Sequence, residues 1–554
     1  MKRFTQIVTL ILIAVFCTAV FAVTADDWPS KPVPKNTARI TVVFSNDVHG
    51  GIMRSDAEFL NPEFPPTLGG ASSQFRLVKA MKERAKRDGQ HFMLVDAGDI
   101  YQGAPIGTVT KGQAIVDYYN LIGMDAVAVG NHDLDHGFWA LDSMIKRSNF
   151  QWISANLHDR ETNKQYPGTK QYLMKNFAGV KIAIIGLATT STKFMSFPKN
   201  IANIEFLDEV PALEHAIMEA KADGAQAIWV VFHHGIQFDE EANYQRLLSI
   251  EQSGGFTKPY VGDAQELAQR VPGVDVMFCG HIHVGKPKGW VHPKHHTLLL
   301  QNYGHGGNIG AVDLFVDKTT GRLVDYAMPT DQSMLMLLQE EQWGRDPVID
   351  KQIQAIVDTV ERGMDEVIGE SIADFIRGDG NAPMVSLVAD AMRDYAQTDI
   401  GLQNSGGVRE NVAPGYITRR QIFHIEPFGN ELVSFKVKGT FLQKLLEGRA
   451  SSTRLGMGLS GATVTFDGSK PQGERISKIE FHSGKVFHPD SMYSVSTSDY
   501  LLMGNSGMQI LTEIPQDQVD WLGMRISDAL VKYIEKSSPI APSKKVRWMD
   551  TAGK

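Results

Sequence analysis

The sequence predicts an α/β protein of two domains. A layered β-sheet domain with helices outside spans residues 38–330, a helical connector 331–369, and a smaller α/β domain 370–546. Three observations lead there. The chain has 554 residues, more than one hydrophobic core holds. Between Ile40 and Val316, apolar runs of strand length alternate with stretches whose apolar residues recur at helical spacing. Several of those runs end in the same kind of group, an Asp, His or Asn close to a Gly.

Taken in order, a Pro-rich lead-in (Pro29, Pro32, Pro34) precedes the first strand, Ile40–Phe44, which ends in Ser45-Asn-Asp-Val-His-Gly50. Ser72–Arg87 sets Phe75, Val78, Met81 and Ala85 on one face and reads as a helix. Phe92–Val95 is a strand ending in Asp96-Ala-Gly-Asp99, and a helix follows around Gln113–Leu121. Met124–Val129 is a buried strand that runs into Gly130–Gly137, GNHDLDHG, the stretch around which the domain is organised. A turn needs Gly, but it does not need an amide, two imidazoles and two carboxylates; those groups hold cations and move protons. Trp139–Arg147 reads as helix, and Trp152–Asn156 and Lys181–Leu187 as strands. Ala227–Phe232 ends in His233-His234-Gly235, and Val274–Cys279 in Gly280-His281-Ile-His283. Thr297–Leu300 and Ala311–Val316 are expected to close the domain as a strand pair. Ser333–Gly369 is charged and helix-prone, a connector, and Asn381–Asp394 carries Met384, Leu387, Val388 and Met392 as a helix of the second domain.

Composition is that of a globular protein, 43% hydrophobic and 21% charged, and the net charge of −8 argues against binding a nucleic-acid polymer. Lys2 and Arg3 followed by the short apolar stretch Ile7–Val20 read as a signal peptide over 1–25, with small residues at Ala22 and Ala25 for cleavage. Removing it leaves Cys279 as the single cysteine, so no internal disulfide forms. The expectation is a periplasmic or secreted monomer with no stable membrane insertion.

Asp47, His49, Asp99, Asn131, His233, His281 and His283 each follow the end of an apolar run. Strands that point one way gather such loops on one edge. Mixed oxygen and nitrogen donors without thiolate suit Zn²⁺, Mn²⁺, Co²⁺ or Fe. Seven donors exceed what one ion with an open position takes, and suit two divalent ions about 3.5–4 Å apart.

Together, Asp47-x-His49, Gly98-Asp99, Gly130-Asn-His-Asp133, His233-x-Gly235 and Gly280-His-x-His283 resemble the calcineurin-like metallophosphatases, in that family's order. The resemblance implies one ion on Asp47, His49 and His283, a second on Asn131, His233 and His281, and Asp99 bridging them. It favours His233 over its neighbour His234. It makes His132 the group that donates to the phosphoryl charge or the leaving oxygen, with Asp135 holding its other nitrogen; the bare alternative is that Asp135 caps the next helix. Asp96 and Asp133 read as loop carboxylates, His136 as solvated, and His305 is left unassigned.

The second domain resembles the 5′-nucleotidase C-terminal domain through Asn404-Ser-Gly-Gly-Val-Arg409 and Pro427-Phe-Gly-Asn430. The resemblance implies a nucleotide site: Asn404, Gly406 and Arg409 at the phosphate, and Phe428 and Tyr500 as faces for a base. Core packing is the alternative for both rings. The chain departs from the family at Met503-Gly-Asn-Ser-Gly507, where Ser506 stands in place of a ribose-binding Asp, and Arg377 is offset from the family's Arg. The function implied is an exported two-metal phosphohydrolase of the 5′-nucleotidase/UDP-sugar hydrolase type, acting on a small nucleotide. Alternatives are a 2′,3′-cyclic-nucleotide phosphodiesterase/3′-nucleotidase, a thiosulfate-ester hydrolase, or a non-catalytic nucleotide-binding protein on the same scaffold.

Overall fold

The computed structural model of the chain describes residues 31–57, 64–337, 343–451 and 453–552. The signal segment 1–25 lies outside them. The first domain is built on two sheets packed face to face. One runs Leu323–Ala327, Asn308–Asp317, Thr37–Ser45, His91–Asp96, Ala126–Ala128, Gln151–Ile153, Thr169–Lys170, with Met334–Met336 also on Asn308–Asp317. The other runs Tyr172–Phe177, Val180–Leu187, Ala227–Phe232, Val276–Cys279, Leu298–Gln301, Lys286–Val291.

Between the sheets lie alternate side chains from both, among them Val42, Phe44, Met93, Val95, Ile182, Trp229, Val231, Phe278 and Leu300, all buried. The Phe44 and Phe278 rings meet across the interface at 5.2 Å. Each such side chain contributes about 1.5–3 kcal/mol of burial. The opposite faces are covered by helices. Leu77, Val78 and Met81 of helix Gly70–Arg87 pack with Ile115 and Tyr119 of Gln113–Ile122 on the first sheet. Leu213 and Ile217 of Glu209–Ala222 pack on the second. The layering is therefore helix, sheet, sheet, helix.

Two expectations are corrected. Leu298–Gln301 and Asn308–Asp317 do not pair with each other. The first lies parallel to Val276–Cys279 in one sheet and the second antiparallel to Thr37–Ser45 in the other. Both are buried interior strands, and the chain crosses between sheets in the loop that separates them. Asn46 holds that crossing, accepting from Asn302 N at 2.8 Å and donating to Asn302 O at 3.1 Å. The connector, expected helical over 331–369, is helical among the described residues only over Pro347–Val360. Asp346 caps that helix through its side chain, Pro347 begins it, and Ile349 and Val357 dock it on the first domain's helical layer. Met334–Met336 belongs to the first sheet and Val367–Ser371 to a strand pair of the second domain.

In the second domain a five-stranded sheet runs Met457–Ser460, Ile400–Asn404, Met492–Ser498, Glu431–Lys438, Val519–Arg525. Helices Pro383–Ala396 and Ile526–Ser537 share a core with Leu432. Gly401 lies where a Cβ would meet the Ala389 carbonyl at 2.5 Å, so helix and strand come into close contact there.

Candidate active site

Loops at the C-terminal ends of strands from both sheets meet at one edge. Their backbones are tightly turned: Asp47, His49, Asp99, His281 and His283 have φ between 50° and 77°. The left-handed region costs about 1–3 kcal/mol for a non-glycine residue, and such strain gathers at functional sites. Glycines make the close approach possible. A Cβ on Gly130 would lie 2.2 Å from Asp99 Oδ1, and one on Gly280 2.9 Å from Asp47 Oδ2.

The side chains form two groups whose ligand-type atoms lie within 4.8 Å of one another: Asp47, His49 and His283, and Asp99, His233 and His281. In the first, His49 Nδ1 donates to Gln102 O at 2.5 Å, which fixes Nε2 toward His283 Nε2, 2.9 Å away. The Asp47 carboxylate accepts from His281 N at 2.9 and 2.8 Å and from Asn46 Nδ2 at 2.7 Å. In the second, His233 Nδ1 donates to Ala97 O at 2.7 Å, and Nε2 faces Asn131 Oδ1 at 3.1 Å. His281 Nδ1 meets the same Asn131 oxygen at 2.8 Å. His234 instead accepts from Gly235 N through Nδ1, and its ring stands edge-on to His281.

Asp99 joins the groups. Its Oδ1 accepts from His132 N at 2.7 Å. Its Oδ2 is buried and has no hydrogen-bond partner, although His233 Nε2 lies 3.1 Å and His49 Nε2 3.9 Å away. A buried carboxylate oxygen whose polar neighbours are two imidazole nitrogens fits a cation in place of their protons. Burial works against a charged Asp99, but His233 and His132 overcome it and hold the carboxyl well below its ordinary value. Burial likewise opposes charge on His233, yet Asp99 and Asp47 push it up to about 10, a gauge of the negative potential focused here. The seven donors, all oxygen or nitrogen, fit two divalent ions.

His132 stands beside this centre with Nδ1 2.6 Å from Asp135 Oδ2. Burial lowers its basicity, but Asp135 and Asp99 outweigh that and raise it above the ordinary value. Asp133 ties the loop, accepting from Gly130 N, Asp99 N and Ile100 N. Asp96 accepts from Ser45 and Tyr119 side chains, and His136 meets Tyr101 OH.

The second domain reaches over the centre. Phe428 stacks on His132 at 5.6 Å and 26°, and Arg409 lies over Phe428 with Cζ 5.8 Å from the ring centre. Asn404 ends its strand and Gly406 lies in the following turn, where its carbonyl accepts from Arg409 Nη1 at 3.4 Å. Tyr500 stands edge-on to Phe197 of the first domain at 5.8 Å, with its hydroxyl 3.5 Å from Ser506 Oγ. The pattern of motifs did not reveal Gln102, buried between the domains, whose Nε2 donates to Pro427 O. Its position three residues after Asp99 was the sole hint.

Residues 40–285 match the calcineurin-like phosphoesterases, and residues 367–513 match the 5′-nucleotidase C-terminal domain. The chain thus joins a first domain similar to the calcineurin-like phosphoesterases to a second similar to the 5′-nucleotidase C-terminal domain. It is a metal-dependent phosphoesterase of that kind. Endonuclease YhcR of Bacillus subtilis (strain 168) is 28% identical over 96% of this chain, and this chain spans 42% of that protein's length. Protein UshA of Yersinia enterocolitica is 25% identical over 94% of this chain and 95% of its own. The crystal structure of a 5′-nucleotidase precursor from Thermus thermophilus superposes with a TM-score of 0.77, covering 93% of this chain and all of that one at 24% identity, so the two share a fold.

Proposed function

We propose that this chain is an exported phosphohydrolase of the 5′-nucleotidase/UDP-sugar hydrolase type, with two divalent ions (Zn, Mn or Co), that cleaves nucleotide phosphate esters or anhydrides. The observation that carries this reading is Asp99 Oδ2, buried between the Asp47/His49/His283 group and the His233/His281 group with imidazole nitrogens as its polar neighbours. The fourth donor for the second group is Asn131. Ions held by these residues would supply Lewis acidity toward phosphoryl oxygens and would lower the pKa of water.

The protein's own groups do the rest. His132 keeps Nδ1–H on Asp135, which leaves Nε2 to donate to an oxygen on phosphorus or to protonate the leaving oxygen. Asp135 and Asp99 raise its basicity, which favours the charged form that this task needs. Arg409 offers a planar fork to the phosphate, and the turn through Asn404 and Gly406 carries it there. Tyr500 offers a ring face to the base, worth about 1–3 kcal/mol of stacking; Phe428, expected to do the same, is stacked on His132 with Arg409 over its ring, and a base would have to displace one of them. Export rests on Lys2, Arg3 and Ile7–Val20. No helix among the described residues is long and apolar enough to cross a membrane.

The test is hydrolysis by protein loaded with Mn²⁺ or Zn²⁺. Substrates are AMP, UDP-glucose, 3′-AMP, 2′,3′-cyclic AMP, an aryl phosphate and, because the Bacillus relative is named an endonuclease, single-stranded DNA. Turnover of AMP or UDP-glucose, lost in His132→Ala, is expected. Turnover confined to the cyclic and 3′ substrates, or to DNA, would replace the substrate assignment. Hydrolysis of none by metal-loaded protein would overturn the reading.

A further inference from the structure

We propose that His305 is a substrate-contacting residue of this centre, donating a hydrogen bond to a non-bridging oxygen of the phosphoryl group on the Asp47/His49/His283 side. The proposal rests on the two-metal phosphohydrolase reading and adds a residue to it.

Four observations carry it. The His305 ring lies 5.4 Å from His49 and 5.0 Å from His283, centre to centre. His132 lies 5.4 Å from the same His49 ring, so that ring has two further imidazoles beside it. Arg409 lies within electrostatic reach of both His132 and His305. His305 remains exposed, and neither of its ring nitrogens has a hydrogen bond among the described residues.

The loop that carries it is built for close approach. His305 N donates to Asp47 O at 2.7 Å. A Cβ on Gly51 would lie 2.2 Å from His305 O, and one on Gly306 1.9 Å from Gly51 O. Between Gly304 and Gly306, His305 alone carries a side chain, and it does so at φ 67°. Glycine would hold that backbone at lower cost. The imidazole is therefore the part of the residue that the packing does not require. A neutral imidazole carries one N–H donor, and a phosphoryl oxygen is a strong acceptor.

The test compares His305→Gly, which removes the ring and relaxes the backbone, with His305→Asn, which tolerates positive φ and keeps an N–H donor. Three quantities are read on Mn²⁺-loaded protein: bound metal by elemental analysis, inorganic phosphate affinity by calorimetry, and kcat/KM on an aryl phosphate and AMP. The expected result is unchanged metal content in both variants. In His305→Gly, phosphate affinity and kcat/KM on both substrates fall by about ten- to a hundredfold, the range for a hydrogen bond to a charged group. His305→Asn recovers part of that loss. Loss of metal in His305→Gly would make the residue a ligand and overturn the proposal. Unchanged phosphate affinity, or no binding of phosphate by the wild-type protein, would overturn it too. Wild-type protein that binds phosphate but hydrolyses no ester would refute the phosphohydrolase reading, while the phosphate titration still decides His305.

Discussion

Gln102 joins the two domains at the site. Its side-chain Nε2 donates to Pro427 O at 2.9 Å, across 325 positions of sequence, while its carbonyl receives His49 Nδ1 at 2.5 Å. Pro427 immediately precedes Phe428, the ring stacked on His132. One buried residue thus bonds both the His49 imidazole and the backbone beside Phe428. Gln102→Ala keeps the carbonyl and loses the tie. Its expected result is full metal content with kcat/KM lower by about two- to tenfold, since one net hydrogen bond is worth about 0.5–1.5 kcal/mol. Elemental analysis with steady-state kinetics checks it, and an unchanged kcat/KM would make the bond incidental.

The position of Asp99 depends on a missing side chain. A Cβ at residue 130 would stand 2.2 Å from Asp99 Oδ1 and 2.3 Å from Asp99 N, and neither atom belongs to a flexible chain end. Gly130→Ala is therefore expected to displace the Asp99 carboxylate and to weaken metal binding. The expected drop is about 10–100-fold, the range seen when a support of a ligand is altered. Asp99→Asn should lower it further, because it removes the charge itself. Metal titration followed by calorimetry measures both, with circular dichroism to show that the fold is retained.

The elements read most easily from the sequence are those whose signal is local. Ala227–Phe232 is apolar throughout and buried on both faces, and its bounds are those the apolar run suggests. The five motif blocks at strand ends come together because parallel neighbours such as Thr37–Ser45 and His91–Asp96 must end on one side. What escaped depends on pairing between distant segments. Nothing in Thr297–Leu300 says that its neighbour is Val276–Cys279 and not the next strand along the chain. The connector's composition is helical, but Met334–Met336 finds an open edge on Asn308–Asp317 and becomes a strand. Gln102 looks like any polar loop residue until Pro427 is set against it.

The Asp135 carboxylate has a measurable consequence for pH dependence. It holds His132 at 2.6 Å and, with Asp99, raises the imidazole above its ordinary value against the opposing effect of burial. If the charged form donates the proton, activity is lost as pH rises through that raised value. Asp135→Asn removes the charge and keeps the shape, so His132 gives up its proton at lower pH. The alkaline limb of the kcat/KM profile is expected to move to lower pH, with metal content unchanged. A limb that stays in place would assign it to another group.

Glu426 makes the second domain's stability depend on pH. It is buried beside Asp499, and burial, with Asp499 adding to it, pushes its carboxyl up to about 8 despite the hydrogen bond from Asn430. In the unfolded chain the same carboxyl titrates near 4.3. Between these values the folded state holds a proton that the unfolded state has released, so stability falls as pH rises from about 4.3 to about 8 and levels off above. Glu426→Gln is close to the protonated side chain in shape and does not ionise. Its unfolding midpoint is expected to exceed that of the wild type by a margin that widens from pH 5 to 8 and then stays constant. Thermal unfolding of both proteins across that range measures the margin. A constant difference over the whole range would mean that Glu426 ionises in the fold at its ordinary value.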